Sequence, residues 1–157
     1  MDARLTLHTN ALGAKFTKHL VAAGRVLSDS SLPLRTQELV KLRASQINGC
    51  GFCTDMHFKD AIADGESAER LNLVAAWREA PCFSEAERAA LALAEEGTRI
   101  ADAAGGVSDD TWANAAKHYD EDQLVALVAA IALINAFNRI NVIVQQPAGG
   151  YQPGMFG

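Results

Sequence analysis

The chain has 157 residues, 49% hydrophobic and 6% aromatic, enough for one domain with a real core and too apolar for a disordered chain. Fourteen basic against nineteen acidic side chains leave a formal charge of −5. With no basic patch in view, nucleic acid is not expected as a partner. No basic-then-apolar leader opens the sequence. The longest apolar run, Leu124 to Ile134, is too short to span a bilayer and reads as a buried helix, so a cytoplasmic protein with no membrane partner is expected.

Residues 1–8 read as a loose lead-in. From Thr9 to about Leu27 a helix is predicted, because Leu12, Phe16, Leu20 and Ala23 recur at steps of three and four. Residues 28–33 form a loop, and Pro33 suits the first turn of a helix, where its missing N–H has no intrahelical partner. That helix turns Leu34, Leu39, Leu42 and Ile47 towards the core, with Glu38 near its start. Asn48-Gly49 ends it, since Gly tolerates the left-handed conformation that closes a helix. A second helix runs from Cys50 to about Asp64, with Gly65 as its stop. A shorter one follows from about Ala68 to Glu79, using Leu71, Val74, Ala75 and Trp77 as contacts. Pro81 ends it.

Ser84-x-x-Glu87 is a capping box, in which each side chain satisfies an orphan backbone N–H. The helix it opens spans about Glu85 to Ala101, and Gly105-Gly106 follows as a break. Ser108 caps a short helix to about Lys117. Asp120-x-x-Gln123 opens a long helix to about Val144, apolar on nearly every side and therefore expected to be buried all round. Residues 147–157 read as an irregular tail. No segment alternates like a strand, no period repeats, and no linker divides the chain. The expectation is a single all-α domain over residues 1–157, with its core at about 10–145.

Chemistry concentrates between Glu38 and His57: E-L-V-K-L-R-A-S-Q-I-N-G-C-G-F-C-T-D-M-H. At about 100° per residue, Cys50, Cys53 and His57 fall within an arc of roughly 60° on one helix face. Phe52, Met56 and Ala63 point away and are free to pack. Three cysteines in a reducing compartment do not read as structural disulfides, so the C-x-x-C pair reads as metal binding or redox chemistry. A thiolate, not a thiol, attacks a peroxide or a disulfide. The helix N-terminus favours a thiolate at Cys50. His57, four residues after Cys53, can take the proton of that thiol. The residues alone leave the choice between the two cysteines even. If the two helices pack antiparallel, Glu38 reaches the same face and orients or reprotonates His57. Once one cysteine is a sulfenic acid, the other is placed to condense with it.

Other readings of these residues exist. Cys50, Cys53, His57 and Glu38 would also supply four zinc ligands, but structural zinc sites more often draw on a second Cys or His pair, and none is present. Haem attachment needs His directly after the second cysteine, where Thr54 stands. Glu38 alone would be a helix-start acid paired with Lys41. Cys82 reads as a small buried side chain. His8, His19 and His118 have no identifiable partners. Asn135, Asn138 and Arg139 form a polar patch on the long apolar helix, read as a subunit contact or helix cap, with a place in the pocket wall as the alternative.

The stretch E-L-V-x-L-R-A-S-Q-I-N-G-C-x-F-C-x-D-M-H, with Trp77-Arg78, the F-S-x-A-E-R-A-A-L run at 83–91 and I-N-A-F-N-R-I at 134–140, resembles the AhpD-like alkylhydroperoxidase family of the carboxymuconolactone decarboxylase superfamily. The likeness covers about residues 10–145. It implies an all-helical fold that assembles as a homo-oligomer, a trimer or hexamer. It implies a thiol-dependent peroxidase acting on organic hydroperoxides, with Cys53 peroxidatic, Cys50 resolving, and His57 and Glu38 as a proton relay. No bound cofactor is implied. An external dithiol reopens the disulfide, a task that a lipoyl-bearing adaptor performs in similar proteins. Some members carry a second histidine between the cysteines, where this chain has Phe52. The decarboxylase branch usually lacks the Cys pair, so lactone chemistry is not expected. Two other functions fit the same residues: a general disulfide oxidoreductase, and a non-enzymatic redox-sensing or zinc-stabilised oligomer.

Overall fold

Seven α-helices and two short 3-10 helices make up the regular structure of residues 2–155, the part of the chain that the computed structural model describes, and none of those residues is in a strand. The helices are α1 (Ala11–Ser28), α2 (Leu34–Ile47), α3 (Gly51–Ala63), α4 (Ala68–Leu73), α5 (Glu85–Thr98), α6 (Asp109–Ala116) and α7 (Glu121–Val144). The 3-10 helices cover Leu7–Thr9 and Val74–Glu79. The chain is all-α, as expected from its periodicities.

Local chemistry accounts for most of the boundaries. Ser84 and Glu87 form the reciprocal capping box of α5, and Asp120 and Gln123 form that of α7. Ser108 caps α6 by accepting from Thr111 N. Each such cap stabilises its helix by about 1 kcal/mol. Gly49, at φ +65°, makes the left-handed turn between α2 and α3. Pro33 sits one position earlier than predicted, at the N-cap of α2 rather than in its first turn. The predicted helix over 68–79 is two pieces, an α-helix that ends at Leu73 and a 3-10 helix from Val74 that is itself kinked at Ala76. Its buried residues are Leu71, Val74, Trp77 and Ala80. That spacing of three matches the 3-10 repeat better than the α-helical one, and it leaves Ala75 exposed.

Helix α2 is the hub, packing against α3, α5 and α7. Its Val40 joins Leu27, Leu93 and Leu127 in one apolar cluster, while Leu39 and Leu42 join Leu71, Trp77 and Leu91 in another. Burying such a side chain fully contributes about 1.5–3 kcal/mol. The second cluster is closed by a polar clamp. Glu95 of α5 accepts from Trp77 Nε1 at 2.9 Å and from Arg43 Nε at 2.8 Å, and it also pairs with Arg78. Burial opposes the charge on Glu95, but these three donors outweigh it and hold its carboxyl below the usual range.

Four expectations fail on packing, one of them at Leu34, which opens α2 and is 44% exposed rather than turned towards the core. Leu12 and Phe16 are 77% and 49% exposed, because α1 turns its less exposed residues Gly13, Thr17, Leu20, Gly24 and Leu27 inwards instead. The small side chains bring α1 close to α7, with an added Cβ at Gly24 only 3.7 Å from Leu133. Third, α7 is not buried all round, since Val125 and Val128 are 64% and 49% exposed. By length and composition alone α7 could cross a membrane, yet its inner face carries Asn135 and Asn138, both buried and hydrogen-bonded within the domain. Fourth, the lead-in is not loose at Arg4, whose N–H donates to Val144 O at 2.7 Å.

The tail is irregular, as read, but it is fastened to α3. Tyr151 OH donates to Asp60 Oδ1 at 2.7 Å, and Lys59 Nζ reaches Tyr151 O at 3.0 Å. Gly149 N donates to Asp55 Oδ2 at 3.1 Å. Phe156 and Gly157, part of the predicted tail, lie outside the described residues.

Candidate active site

The turn at Gly49 delivers Cys50 to the N-cap of α3, where its Sγ accepts from the backbone N–H of Cys53 at 3.2 Å. Cys53 stands in the first turn of the same helix. The two sulfurs are bonded to each other, at an S–S distance of 2.12 Å with Cα atoms 5.3 Å apart. In this state neither sulfur is a thiolate, the form in which cysteine binds zinc.

The reactive face of α3 is its buried face. Cys53, His57 and Ala61 point into the domain and are 1%, 6% and 3% exposed. Met56 is half-buried and Ala63 exposed, while Phe52 meets the ring of Tyr151 edge-on at 6.4 Å. The expectation of a reactive side opposite a packing side is therefore reversed. The helix docks through the trio itself, because α2 and α7 supply polar partners for it. Cys50 and Cys53 share a small cluster with Ala44 and Ile134.

Glu38 of α2 is buried, and its Oε2 lies 2.8 Å from His57 Nδ1. Lys41 Nζ occupies the other carboxylate oxygen at 2.8 Å. Burial by itself would raise the pKa of Glu38. The hydrogen bond and charge of His57, with those of Lys41, outweigh it and bring the value down to about 2. An ionised carboxylate only accepts, so Nδ1 of His57 carries a hydrogen, and Nε2 is the ring nitrogen at which a proton can be gained or given up. Glu38 thus fixes the tautomer and the ring orientation. Sequence spacing suggested the Lys41 contact and the His57 contact as rivals, and the structure contains both.

Behind the site, the polar patch of α7 locks the end of α2. Asn48 Nδ2 donates to Asn135 Oδ1 and to Asn138 Oδ1, each at 2.9 Å. Asn138 Nδ2 donates to Ser45 Oγ at 3.0 Å, and Asn135 Nδ2 to Thr98 Oγ1 at 3.1 Å. Arg139 Nη1 reaches Asn135 Oδ1 at 3.2 Å. The patch sets the position of the α2–α3 turn, and so of the cysteines, a role closest to the pocket-wall alternative among its readings. The spacing I-N-x-x-N on an otherwise apolar face was the available signal, because a buried Asn needs partners.

One residue at the site had no signal in the motif. Asn141 of α7 places its Nδ2 3.3 Å from Cys53 Sγ. Cys82 is a free thiol and only half-buried, not fully buried as read. His8, His19 and His118 are exposed. A cleft of about 230 Å³ between α2 and the end of α3 is lined by Glu38 with Arg35, Asp64 and Glu66, and it includes neither cysteine. Among the described residues no cluster of three His, Cys, Asp or Glu side chains is arranged for a metal.

Known proteins share both the sequence and the fold. YdfG of Bacillus subtilis is 44% identical over 113 residues, 72% of this chain and 76% of that protein. The crystal structure of ATU0492 from Agrobacterium tumefaciens, a protein of unknown function considered a candidate antioxidant defence protein AhpD, superposes with a TM-score of 0.88 at 35% identity, covering 96% of this chain and all of that one. The debrominase Bmp8 shares the fold alone, with a TM-score of 0.75 at 17% identity over 84% of this chain and 70% of that one. The model of the carboxymuconolactone decarboxylase family matches residues 12–96, from α1 through the cysteine pair and into α5. That span and the cysteine pair with its helical frame place this chain in the carboxymuconolactone decarboxylase family, on its AhpD-like side.

Proposed function

We propose that the protein is a thiol-dependent peroxidase that reduces organic hydroperoxides through the Cys50–Cys53 pair. The observation that carries this reading is a bonded cysteine pair on the same buried helix face as a histidine held by an ionised carboxylate. His57 Nε2 takes the proton of the Cys53 thiol. The thiolate attacks the terminal oxygen of the hydroperoxide, the O–O bond breaks, and the alkoxide takes the proton back from His57 to leave as the alcohol. Cys53 is then a sulfenic acid. The Cys50 sulfur attacks it, the S–O bond breaks, and hydroxide leaves as water with the proton of the Cys50 thiol. An external dithiol, such as a lipoyl-bearing adaptor, reduces the disulfide by exchange. Glu38, held well below the usual carboxylate range by its partners, orients His57 through Nδ1 and balances the charge that the ring acquires when it takes the thiol proton.

The exposed apolar stripe of Leu12 and Phe16 on α1, with Val125 and Val128 on α7, supports the expectation that the chain works as a homo-oligomer. The test of the function is a thiol titration of the reduced Cys82→Ser protein before and after one equivalent of cumene hydroperoxide. Loss of two thiols, with the Cys50–Cys53 disulfide found by peptide mapping, is expected. Unchanged thiols in metal-free protein would overturn the reading.

A second reading is favoured by one observation. Cys50 occupies the helix N-cap and accepts a backbone N–H there, which stabilises a thiolate at Cys50. If Cys50 attacks first, the natural substrate is another disulfide, and the protein is a general disulfide oxidoreductase. Faster reduction of a model disulfide than of any hydroperoxide would select it.

A further inference from the structure

Cys50 holds an advantage that the peroxidase cycle must overcome. Its sulfur is at the positive end of α3 and has a backbone donor, so the helix alone would ionise Cys50 first. Cys53 must be compensated by side chains. His57, one turn further along α3, is one candidate. The other comes from a different element. Asn141 lies three residues beyond Asn138 on α7, and its Nδ2 is 3.3 Å from Cys53 Sγ.

We propose that Asn141 is a catalytic residue whose side-chain amide donates a hydrogen bond to the Cys53 sulfur and selects Cys53 over Cys50 as the ionised thiol. The proposal rests on the reading that Cys53 attacks. A disulfide sulfur is a weak acceptor, whereas a thiolate is charged, so the contact strengthens when the pair is reduced. The amide has one favourable orientation towards a thiolate, because its oxygen would be repelled. The side chain is also separable from the backbone role of the residue. Asn141 O accepts from Gln146 N at 2.9 Å at the end of α7, and a substitution leaves that bond in place. The titratable groups on the elements packed around Cys53 are Arg35, Glu38, Lys41 and Arg43 on α2, Asp55, His57, Lys59 and Asp60 on α3, Glu121, Asp122 and Arg139 on α7, and Tyr151 in the tail. All remain unaltered in the test.

The experiment uses reduced full-length protein carrying Cys50→Ser and Cys82→Ser, so that Cys53 is the one thiol present. Its ionisation is followed by ultraviolet thiolate absorbance against pH, and its reactivity by alkylation with iodoacetamide. With Asn141→Ala the midpoint should rise by about one pH unit, which lowers the thiolate fraction about tenfold below the midpoint. A more basic thiolate is a better nucleophile, so alkylation near neutrality should slow by about threefold. Asn141→Asp keeps the shape and reverses the electrostatics, and its midpoint should be higher again. A purely structural role for Asn141 would not produce the order Asn, Ala, Asp. The unsubstituted protein gives an independent reading: in reduced protein the Asn141 side-chain amide protons should titrate by NMR with the midpoint of Cys53.

Equal midpoints in folded variants, or amide protons that ignore the Cys53 titration, would overturn the proposal. Cumene hydroperoxide consumption separates this outcome from failure of the function. Peroxide turnover with no midpoint shift rejects Asn141 alone. A midpoint shift without peroxide turnover rejects the peroxidase and retains Asn141 as the residue that tunes Cys53 for disulfide exchange.

Discussion

Replacing Glu38 by Gln tests the electrostatic core of the site. The amide keeps the shape of the side chain but removes the charge that faces His57 and Lys41. The carboxyl is depressed from 4.5 to about 2 in the folded protein. The sign follows from that direction: the folded state binds the proton less tightly than the unfolded chain, so the ionised group stabilises the fold above its unfolded pKa. That stabilisation is lost as pH falls from about 4.5 towards 2. The shift corresponds to about 3 kcal/mol at pH 7, and a two-state titration leaves about 1–2 kcal/mol of it at pH 3. Glu38 is almost fully buried, so little of this is screened by solvent. Urea unfolding of the oxidised parent and Glu38→Gln proteins at pH 7, 5, 4 and 3 gives the comparison. The variant should be less stable at pH 7 by about that amount, and the gap should shrink by about half or more by pH 3. A gap that is constant over this range would show that Glu38 contributes by shape and packing, and the assignment of an ionised partner to His57 would fall.

Three other substitutions probe the frame around the site. Asn138→Ala removes one of the two acceptors of Asn48 Nδ2 and the amide that donates to Ser45 Oγ at a fully buried position, while Asn135 Oδ1 and Lys41 O still partner those groups; it should cost about 1–2 kcal/mol, read as a lower urea midpoint with an unchanged slope. Gly49→Ala meets nothing within 4 Å but forces a side chain into φ +65°, so it should cost about 1 kcal/mol from backbone strain alone. Tyr151→Phe removes the donor to Asp60 Oδ1. Burial already holds that carboxyl above its usual value, with the tyrosine hydrogen bond opposing, so its midpoint should move further up in a carboxyl-detected NMR titration. The accompanying loss of stability, about 1 kcal/mol at pH 7, should shrink as the pH falls through the Asp60 midpoint.

What could be read from the sequence follows the range of the interactions. The caps at Ser84, Ser108 and Asp120 depend on residues three apart, and each is present where its pattern stands. The shared face of Cys50, Cys53 and His57 follows from helical geometry. Whether that face looks into the core or out of it depends on what α2 and α7 present, so its burial had no local signal. The same holds for Asn141, which meets Cys53 across 88 positions of chain, and for Tyr151, which closes on Asp60 across 91. Leu12 and Phe16 repeat like core residues, yet within one chain the small side chains of α1 pack better against α7. Helical periodicity marks an apolar face without saying whether the same chain covers it. The change from α-helix to 3-10 helix at Val74 was legible in principle, because Leu71, Val74, Trp77 and Ala80 repeat every three residues rather than every three and four.

The most direct test of the central claim is to trap the sulfenic acid and locate it. Dimedone is added with cumene hydroperoxide to the reduced Cys50→Ser/Cys82→Ser protein and, in parallel, to Cys53→Ser/Cys82→Ser, and peptide mass mapping locates the adduct. The account predicts a near-stoichiometric adduct on Cys53 in the first protein and little on Cys50 in the second. An adduct that forms faster on Cys50, or none on either cysteine, would contradict it.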